Sequence, residues 1–386
     1  MRFQLDKDVL ADAVAWTARS LPLRPSFPIL AGLLIQAEDG AVALSSFDYE
    51  TSARITIKAE VSQPGVALVS GRLLADITRS LPAKPVTVST SNTEVEVVCG
   101  SARFALQTLP VDDYPTLPAV PQTSGWVDAQ SLADAVGQVV AAAGRDELLP
   151  VFTGVRVEFD GANLSLLATD RYRMALKELV WQPDTAATAA TAALVPGKVL
   201  ADAAKSMQGG DKITIALAEA GIGDGLIGFT TETSNDTRQI TTRLLDGDFP
   251  KLRHLMSIPD DLTVRANTQD LMSAVRRVAL VAERNTSLKM VLGDDSVTLE
   301  AARGDQAQAS EAVPALIGHG NTDVAIDAVG FNPHYLTDAL SAMTTPYVCI
   351  SFTGSGKPCL VRALADLDGD PSDDYRHVIM LMRLSS

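Results

Sequence analysis

Three stretches of this chain and its four histidines carry residue types that could do chemistry. Gly223–Gly228, GDGLIG, satisfies the G-x-G-x-x-G pattern, in which a glycine turn brings backbone N–H groups and a helix N-terminus to a pyrophosphate. Its flanks, ITIALAEA and FTTET, alternate like strands, so no helix follows to receive a phosphate and a hairpin turn is the better fit. Thr353–Pro358, TGSGKP, is like a phosphate loop but lacks the first glycine and puts Pro358 where a Mg²⁺-binding hydroxyl belongs. Asp366–Asp374, DLDGDPSDD, is dense in carboxylates, yet Pro371 occupies the EF-hand glycine position and His377 that of the bidentate Glu, so a solvated acidic loop is expected. His254, His319, His334 and His377 show no metal-ligand spacing, and no G-x-S-x-G elbow accompanies them. No catalytic set, metal site or cofactor site emerges. A scaffold is favoured over an enzyme.

Composition narrows the classes further. With 386 residues the chain exceeds what one core usually supports, so two or three domains are expected. Asp and Glu outnumber Lys and Arg by 47 to 32, a net charge of −15, which argues against coating nucleic acid by overall attraction. Any contact with DNA must therefore be local. Cys99, Cys349 and Cys359 are too few and too scattered for a disulfide framework, and fit buried thiols in a reducing interior. The N-terminus lacks a signal-peptide pattern and no apolar run approaches a membrane span, so a soluble cytoplasmic protein without membrane association is expected.

The elements that must position any site are legible as a repeat. LADAV occurs at Leu10–Val14 and again at Leu132–Val136. Around the first copy Leu10, Ala13, Val14, Thr17, Ala18 and Leu21 form one helical stripe. Leu132, Ala135, Val136, Val139, Val140 and Ala143 repeat it, and Leu271, Ala274, Val275, Val278, Ala279 and Ala282 give a third copy. Asp6, Asp128 and Asn267 stand four residues before the three leading leucines, as helix caps. A second helix recurs at Leu74-Ala75-Asp76, Leu200-Ala201-Asp202 and Leu336-Thr337-Asp338, each followed by a bulky residue at Leu81, Met207 or Met343. Asp48 in SSFDYET and Asp170 in LATDRYR share a turn context, and Asp113, Asp248 and Asp374 open DYP, DFP and DYR. Between the helices, RITIKAEV (Arg54–Val61) and VTVSTSNTEVEVV (Val86–Val98) alternate with period two, with a hairpin turn at Ser91-Asn92. Thr185–Ala193, TAATAATAA, reads as a surface loop, although its composition would tolerate a short helix. The repeat unit is about 120 to 135 residues, each helix, strands, helix, strands: three α+β domains with antiparallel sheets, at 1–122, 123–258 and 259–386.

On PILAGLLI (Pro28–Ile35), LPVDDYP (Leu109–Pro115), TDRYRMA (Thr169–Ala175), LLDGDFPKLR (Leu244–Arg253) and HVIMLMRL (His377–Leu384), the chain resembles the bacterial DNA polymerase III β subunit, the sliding-clamp family, in an actinobacterial-like form, over essentially its whole length. The resemblance implies three clamp domains with paired helices on one side and antiparallel sheets on the other, and a head-to-tail homodimer closing a ring around duplex DNA. It implies the helices line the hole, with Arg19, Arg24, Arg72, Arg79, Lys198, Lys205, Arg276 and Arg277 as DNA-facing candidates, of which Arg24 and Arg72 match family contact positions. Enclosure would hold DNA in a sequence-independent way without tight phosphate contacts. It also implies a pocket for short peptides of the replicative polymerase, clamp loader and repair proteins. Its residues are Phe152, Thr169, Tyr172, Arg173, Met174, Pro250, His254 and Leu255, with Val378, Ile379, Met380, Leu381, Met382 and Arg383 from the C-terminal run. Met and Leu suit varied apolar anchors, and Arg173 and Arg383 could fix a backbone or carboxylate. For the ring joint, Arg103, Phe104 and Leu106 would face Leu280, Val281 and an acidic segment that keeps only Asp305 and Glu311.

Two departures stand out. The family usually ends M-P-M-R-L, whereas this chain has Leu381 in place of the proline and carries Ser385-Ser386 beyond; His254 stands where a smaller or basic residue is common. Leu381 restores an N–H and frees φ at the pocket wall. These changes suggest a reshaped pocket, as in a second clamp copy evading a pocket-binding antibiotic; a non-encircling peptide-binding decoy is the other alternative.

Overall fold

The computed structural model describes residues 1–91, 93–184, 191–218, 225–283, 286–320 and 326–384. Asn92 of the Ser91-Asn92 turn, Thr185–Ala190 of the alanine-rich stretch, the glycine-rich residues up to Asp224, and Ser385-Ser386 lie outside them.

The six repeat helices form where the apolar stripes require. They are α1 (Lys7–Ala18), α2 (Gly71–Ser80), α3 (Ala129–Val140), α5 (Gly197–Ser206), α6 (Thr268–Val278) and α7 (Pro333–Ser341), with a single turn, α4 (Pro150–Thr153), between α3 and α5. The stripe leucines Leu10, Leu132 and Leu271 and their partners Leu74, Leu200 and Leu336 are all buried, as are Leu81, Met207 and Met343. Each first helix starts at its expected cap. Asp6 accepts from the Asp8 N–H, Asp128 from the Ser131 N–H, and Asn267 from the N–H groups of Gln269 and Asp270, satisfying donors that the first turn leaves free. α1 packs on α2, and α6 on α7.

One element differs from the expected order: a short strand precedes each first helix, at Arg2–Leu5, Thr123–Asp128 and Leu262–Asn267. Runs of four to six residues are too brief for alternation to declare itself before a stronger helical stripe. Thr191–Ala193, expected in a loop, opens the strand Thr191–Pro196, because Thr191, Ala192 and Ala193 pair with Phe159, Glu158 and Val157. TGSGKP is the turn between strands Tyr347–Phe352 and Cys359–Leu364, closed by the Lys357 N–H on the Gly354 carbonyl. The acidic loop is pinned by the Arg265 guanidinium donating to the carbonyls of Leu367 and Gly369. Among the described residues no group of three or more His, Cys, Asp or Glu could hold a metal ion, and the three cysteines are free and buried.

The chain forms two compact units. The first contains Met1–Ala133, Trp181–Ala186 and Asp202–Leu244. In it a five-stranded sheet ends at the edge strand Ala102–Gln107. A nine-stranded sheet joins strands of the first and second repeats, Asp236–Arg243 running antiparallel to Thr51–Lys58 through seven residue pairs. The second unit holds Asp134–Val180, Ala187–Ala201 and Leu245–Ser386, around a twelve-stranded sheet in which Arg173–Val180 of the second repeat pairs with Tyr375–Ile379 of the third. Main-chain ladders thus cross from repeat to repeat. The repeated aromatics behind Asp113, Asp248 and Asp374 plug the cores: Tyr114, Phe249 and Tyr375 are all buried. The Tyr114 hydroxyl donates to the Gly32 carbonyl, and burial pushes its pKa up to about 12.

Candidate functional site

Asp48 and Asp170 build the same turn 122 residues apart. Asp48 accepts from the N–H groups of Glu50 and Thr51, and Asp170 from those of Tyr172 and Arg173. The residues between are Tyr49 and Arg171, with φ of 77° and 80°, a left-handed conformation that costs non-glycine residues energy and that the carboxylate bonds hold in place. In the second unit this turn forms one wall of a cleft of about 530 Å³. α4 places Phe152 on another side, its own carbonyl accepting from the Gly144 N–H, and α7 supplies His334, Tyr335 and Asp338.

Arg173 is the brace of the cleft. It is 6% exposed, its Nε bonds Asp170 at 3.0 Å, its Nη1 bonds Asp338 at 2.6 Å, and its guanidinium lies 4.5 Å from the Tyr335 ring centre. Nε and Nη1 of the guanidinium expected to meet a ligand are therefore paired with carboxylates of the chain. Burial, with the charge of Asp170 adding to it, raises the Tyr335 pKa against the opposing pull of Arg173. The sequence marks Asp338 only as a repeat position and singles out neither Tyr335 nor Arg171, since Arg173 and Asp338 are 165 residues apart and only the fold joins them.

Behind the brace lies a second polar chain. The Tyr375 hydroxyl donates to the Gln138 carbonyl at 3.2 Å and stands 2.8 Å from His377 Nδ1, which assigns the imidazole proton to Nδ1 and leaves Nε2 a buried lone pair without a partner. Protonating Nε2 would put an N–H into apolar surroundings, so burial, aided by the Arg173 charge, lowers the His377 pKa to about 3.

The C-terminal run divides at Ile379. Val378 and Ile379 are buried strand residues and Met174 lies with Val378 in an apolar cluster with Leu167, Phe249 and Met256, so these three support the site from within and do not line its surface. Thr169 is likewise buried, its hydroxyl donating to the Arg173 carbonyl. The surface is supplied by Tyr172 and Leu255, 55% and 43% exposed, Met380 at 42%, and half-buried Phe152, Pro250, Leu381 and Met382; His254 and Arg383 are exposed. Met380 is anchored by its N–H on the Tyr172 carbonyl and Met382 by its N–H on the Gly330 carbonyl. A Cβ on Gly330 would stand 2.7 Å from the Met382 carbonyl oxygen, so only glycine lets the C-terminal segment approach.

Basic residues recur on the second helices. Arg72 and Lys198 follow the opening glycines of α2 and α5, and Arg79 and Lys205 end them; all four are exposed, as are Arg19, Arg24 and Arg276. Arg72 donates to the Pro22 carbonyl, Arg79 lies 3.8 Å from Asp76, and Arg276 donates to the Ser341 hydroxyl. Arg277 differs. It forms a two-pronged pair with Glu311, at 3.0 and 2.5 Å, so the two residues expected on separate surfaces occupy one patch where the guanidinium is neutralised.

Among the strands with one side unpaired among the described residues are Ala102–Gln107 and the first half of Ala307–His319. On the first, Arg103 is exposed and pairs with Glu96 and Phe104 is half-buried, but Leu106 is only 2% exposed. Leu106 lies on the same face of the strand as Phe104 and is the more covered of the two within its own chain. Beside the second, Leu280 is 78% exposed, Val281 half-buried and Asp305 exposed.

Comparison with known proteins follows this arrangement along the chain. The N-terminal, central and C-terminal domains of the DNA polymerase III beta subunit match residues 1–118, 126–251 and 258–383. The beta sliding clamp of Streptomyces coelicolor is 47% identical over 385 residues, covering 100% of both chains, and the beta sliding clamp homolog GriR of Streptomyces muensis is 39% identical over 99% of both. Among solved structures, the DNA polymerase sliding clamp of Bacillus subtilis superposes with a TM-score of 0.87 at 25% identity, covering 100% of both chains. A sliding clamp from Pseudomonas aeruginosa bound to griselimycin gives the same TM-score, identity and coverage.

Proposed function

The chain belongs to the DNA polymerase III beta subunit family, the sliding clamps of DNA replication, and on that premise we propose that it is a processivity subunit working by enclosure and peptide capture, with no reaction of its own. Two copies join head to tail by pairing the free edge Ala102–Gln107 of one with the free edge in Ala307–His319 of the other. Phe104 meets Leu280 and Val281, and the Arg277–Glu311 pair sits at this joint instead of facing DNA. The domain boundaries at 122/123 and 258/259 belong to the same reading. Antiparallel edges left open on a single chain are otherwise a liability, and pairing them between copies removes it.

The observation that carries enclosure is the exposed basic residue at matching places of α2 and α5, Arg72 with Lys198 and Arg79 with Lys205, on a chain whose net charge is −15. Cations held at repeated positions on an acidic body bring phosphates near without the many contacts that would arrest sliding. Arg24 and Arg276 add to the set. Retention on nicked circular DNA after loading, and loss when the circle is cut, tests it; equal retention on linear DNA defeats it.

The cleft beside Arg173 and the surface formed by Tyr172, Leu255 and Met380–Met382 form the peptide site. Replicative polymerase, clamp loader and repair proteins are the partners, meeting in the cytoplasm at the nucleoid; among the described residues no helix is long and apolar enough to cross a membrane. A second reading concerns Leu381, half-buried between two main-chain anchors where the family usually has proline: a second clamp copy with a wall reshaped against an inhibitor. Griselimycin and peptide affinities of Leu381→Pro test it, and unchanged values for both dismiss it.

A further inference from the structure

The peptide-site reading leaves open which flanking chemistry the cleft prefers, and its charges answer that. Arg145, Arg171 and Arg173 face it from one sign, Asp146, Asp170 and Asp338 from the other. Two of the three carboxylates are already committed: Asp170 receives Arg173 Nε and two backbone N–H groups, and Asp338 receives Arg173 Nη1. Asp146 accepts from the Leu148 N–H. Arg173, with two carboxylates on one guanidinium, is more than neutralised and nearly buried. Arg171 is exposed, and no carboxylate of the described residues lies in hydrogen-bond or ion-pair reach of it.

Arg171 is also held for use. Its backbone stands at φ 80°, fixed by Asp170 and by the Thr169 hydroxyl accepting from the Arg171 N–H at 3.1 Å. Its guanidinium lies 5.9 Å from the Phe152 ring centre and 5.8 Å from that of Tyr172, so two of the rings that border the cleft share one cation at their faces. Such stacking orients the planar fork while leaving its N–H edges open, the geometry that receives a carboxylate in two-pronged fashion.

We infer that Arg171 is a specificity-determining residue that selects, among peptides anchored by apolar side chains, those with an Asp or Glu side chain beside the anchor. This rests on the cleft being the peptide site. The ordering of the fork in advance reduces what is lost on binding, and the half-enclosed cleft strengthens the pair relative to open water.

The test uses the full-length protein and a phage-displayed library of random nonapeptides. Peptides selected on wild type are expected to share an acidic residue at a fixed distance from an apolar pair, and selection on Arg171→Gln is expected to lose that preference. The best peptide and its Asp→Asn or Glu→Gln counterpart are then compared by fluorescence anisotropy. The acidic form should bind wild type roughly 5- to 20-fold more tightly, Arg171→Gln less than about twofold more tightly, and Arg171→Lys in between, with the wild-type ratio shrinking as salt is raised. Equal acid preference in wild type and Arg171→Gln overturns the assignment while leaving the peptide site intact. Recovery of no peptide that griselimycin displaces overturns the site itself, and the assignment with it.

Discussion

Lowering the pH from 7.5 to 5.0 should loosen the second unit through one residue, His377. Its folded pKa is lowered to about 3 from an ordinary 6.5 because the ring is fully buried and Nε2 has no acceptor. Above pH 6.5 neither the folded nor the unfolded state carries the proton, and the stability contributed by the neutral imidazole is fully present. Between about 6.5 and 3 the unfolded chain binds a proton that the folded chain refuses, so stability falls as pH falls. The loss approaches 1.4 kcal/mol per pH unit and amounts to about 2 kcal/mol between pH 7.5 and 5.0. Asp260 and Asp374 do not blur this window. Burial opposes their ionisation, but bonds from Ser351 and Arg362, and from Lys177 and Ser372, hold both below the ordinary carboxylate value, so their contributions vanish only at lower pH. For a body of about 200 residues, 2 kcal/mol corresponds to roughly 4–8 °C in melting temperature. Calorimetric melts of wild type and His377→Gln at both pH values give the comparison, in which the constant packing cost of the substitution cancels. Wild type should fall by that much more than the variant; an identical fall in both proteins refutes the buried, unprotonated assignment.

Gly330→Ala should drive the Met382 carbonyl away, break the Met382 bridge and lower peptide affinity about tenfold while the melting temperature drops by only a few degrees, measured by anisotropy and calorimetry. Leu280→Arg places a charge on a side chain that is 78% exposed in the single chain, so sedimentation should show monomers at concentrations where wild type is dimeric, with unaltered circular dichroism. Asn267→Ala removes acceptors for two N–H groups of α6 and should cost about 1 kcal/mol in denaturant titration; no change in midpoint would deny the cap its role.

The helices were legible because their stripes run for three turns and repeat, and the caps because Asp6, Asp128 and Asn267 stand at one fixed distance from the leading leucines. The strands before each first helix were not, since Arg2–Leu5 offers only two turns of alternation beside an amphipathic run of twelve residues. At the cleft, the resemblance led to Phe152, Tyr172 and the C-terminal run, but not to the surroundings of Arg173. Its partners Asp338 and Tyr335 come from a helix that in sequence looks like a third copy of α2, and α7 turns those positions toward the cleft. Period and spacing report local geometry; a pair closed across 165 residues leaves no local trace. Arg277 shows the same limit, since its pairing with Glu311 is closed across 34 residues.

The ladders that cross between repeats carry an evolutionary corollary. Peptide groups are common to every amino acid, so a junction written in them does not depend on which side chains flank it. Substitution can range widely along Asp236–Arg243 and Thr51–Lys58 without unfastening the seam, provided proline stays out. That tolerance is one physical route by which a chain sharing a quarter of its residues with a distant relative can keep the same backbone trace at a TM-score of 0.87.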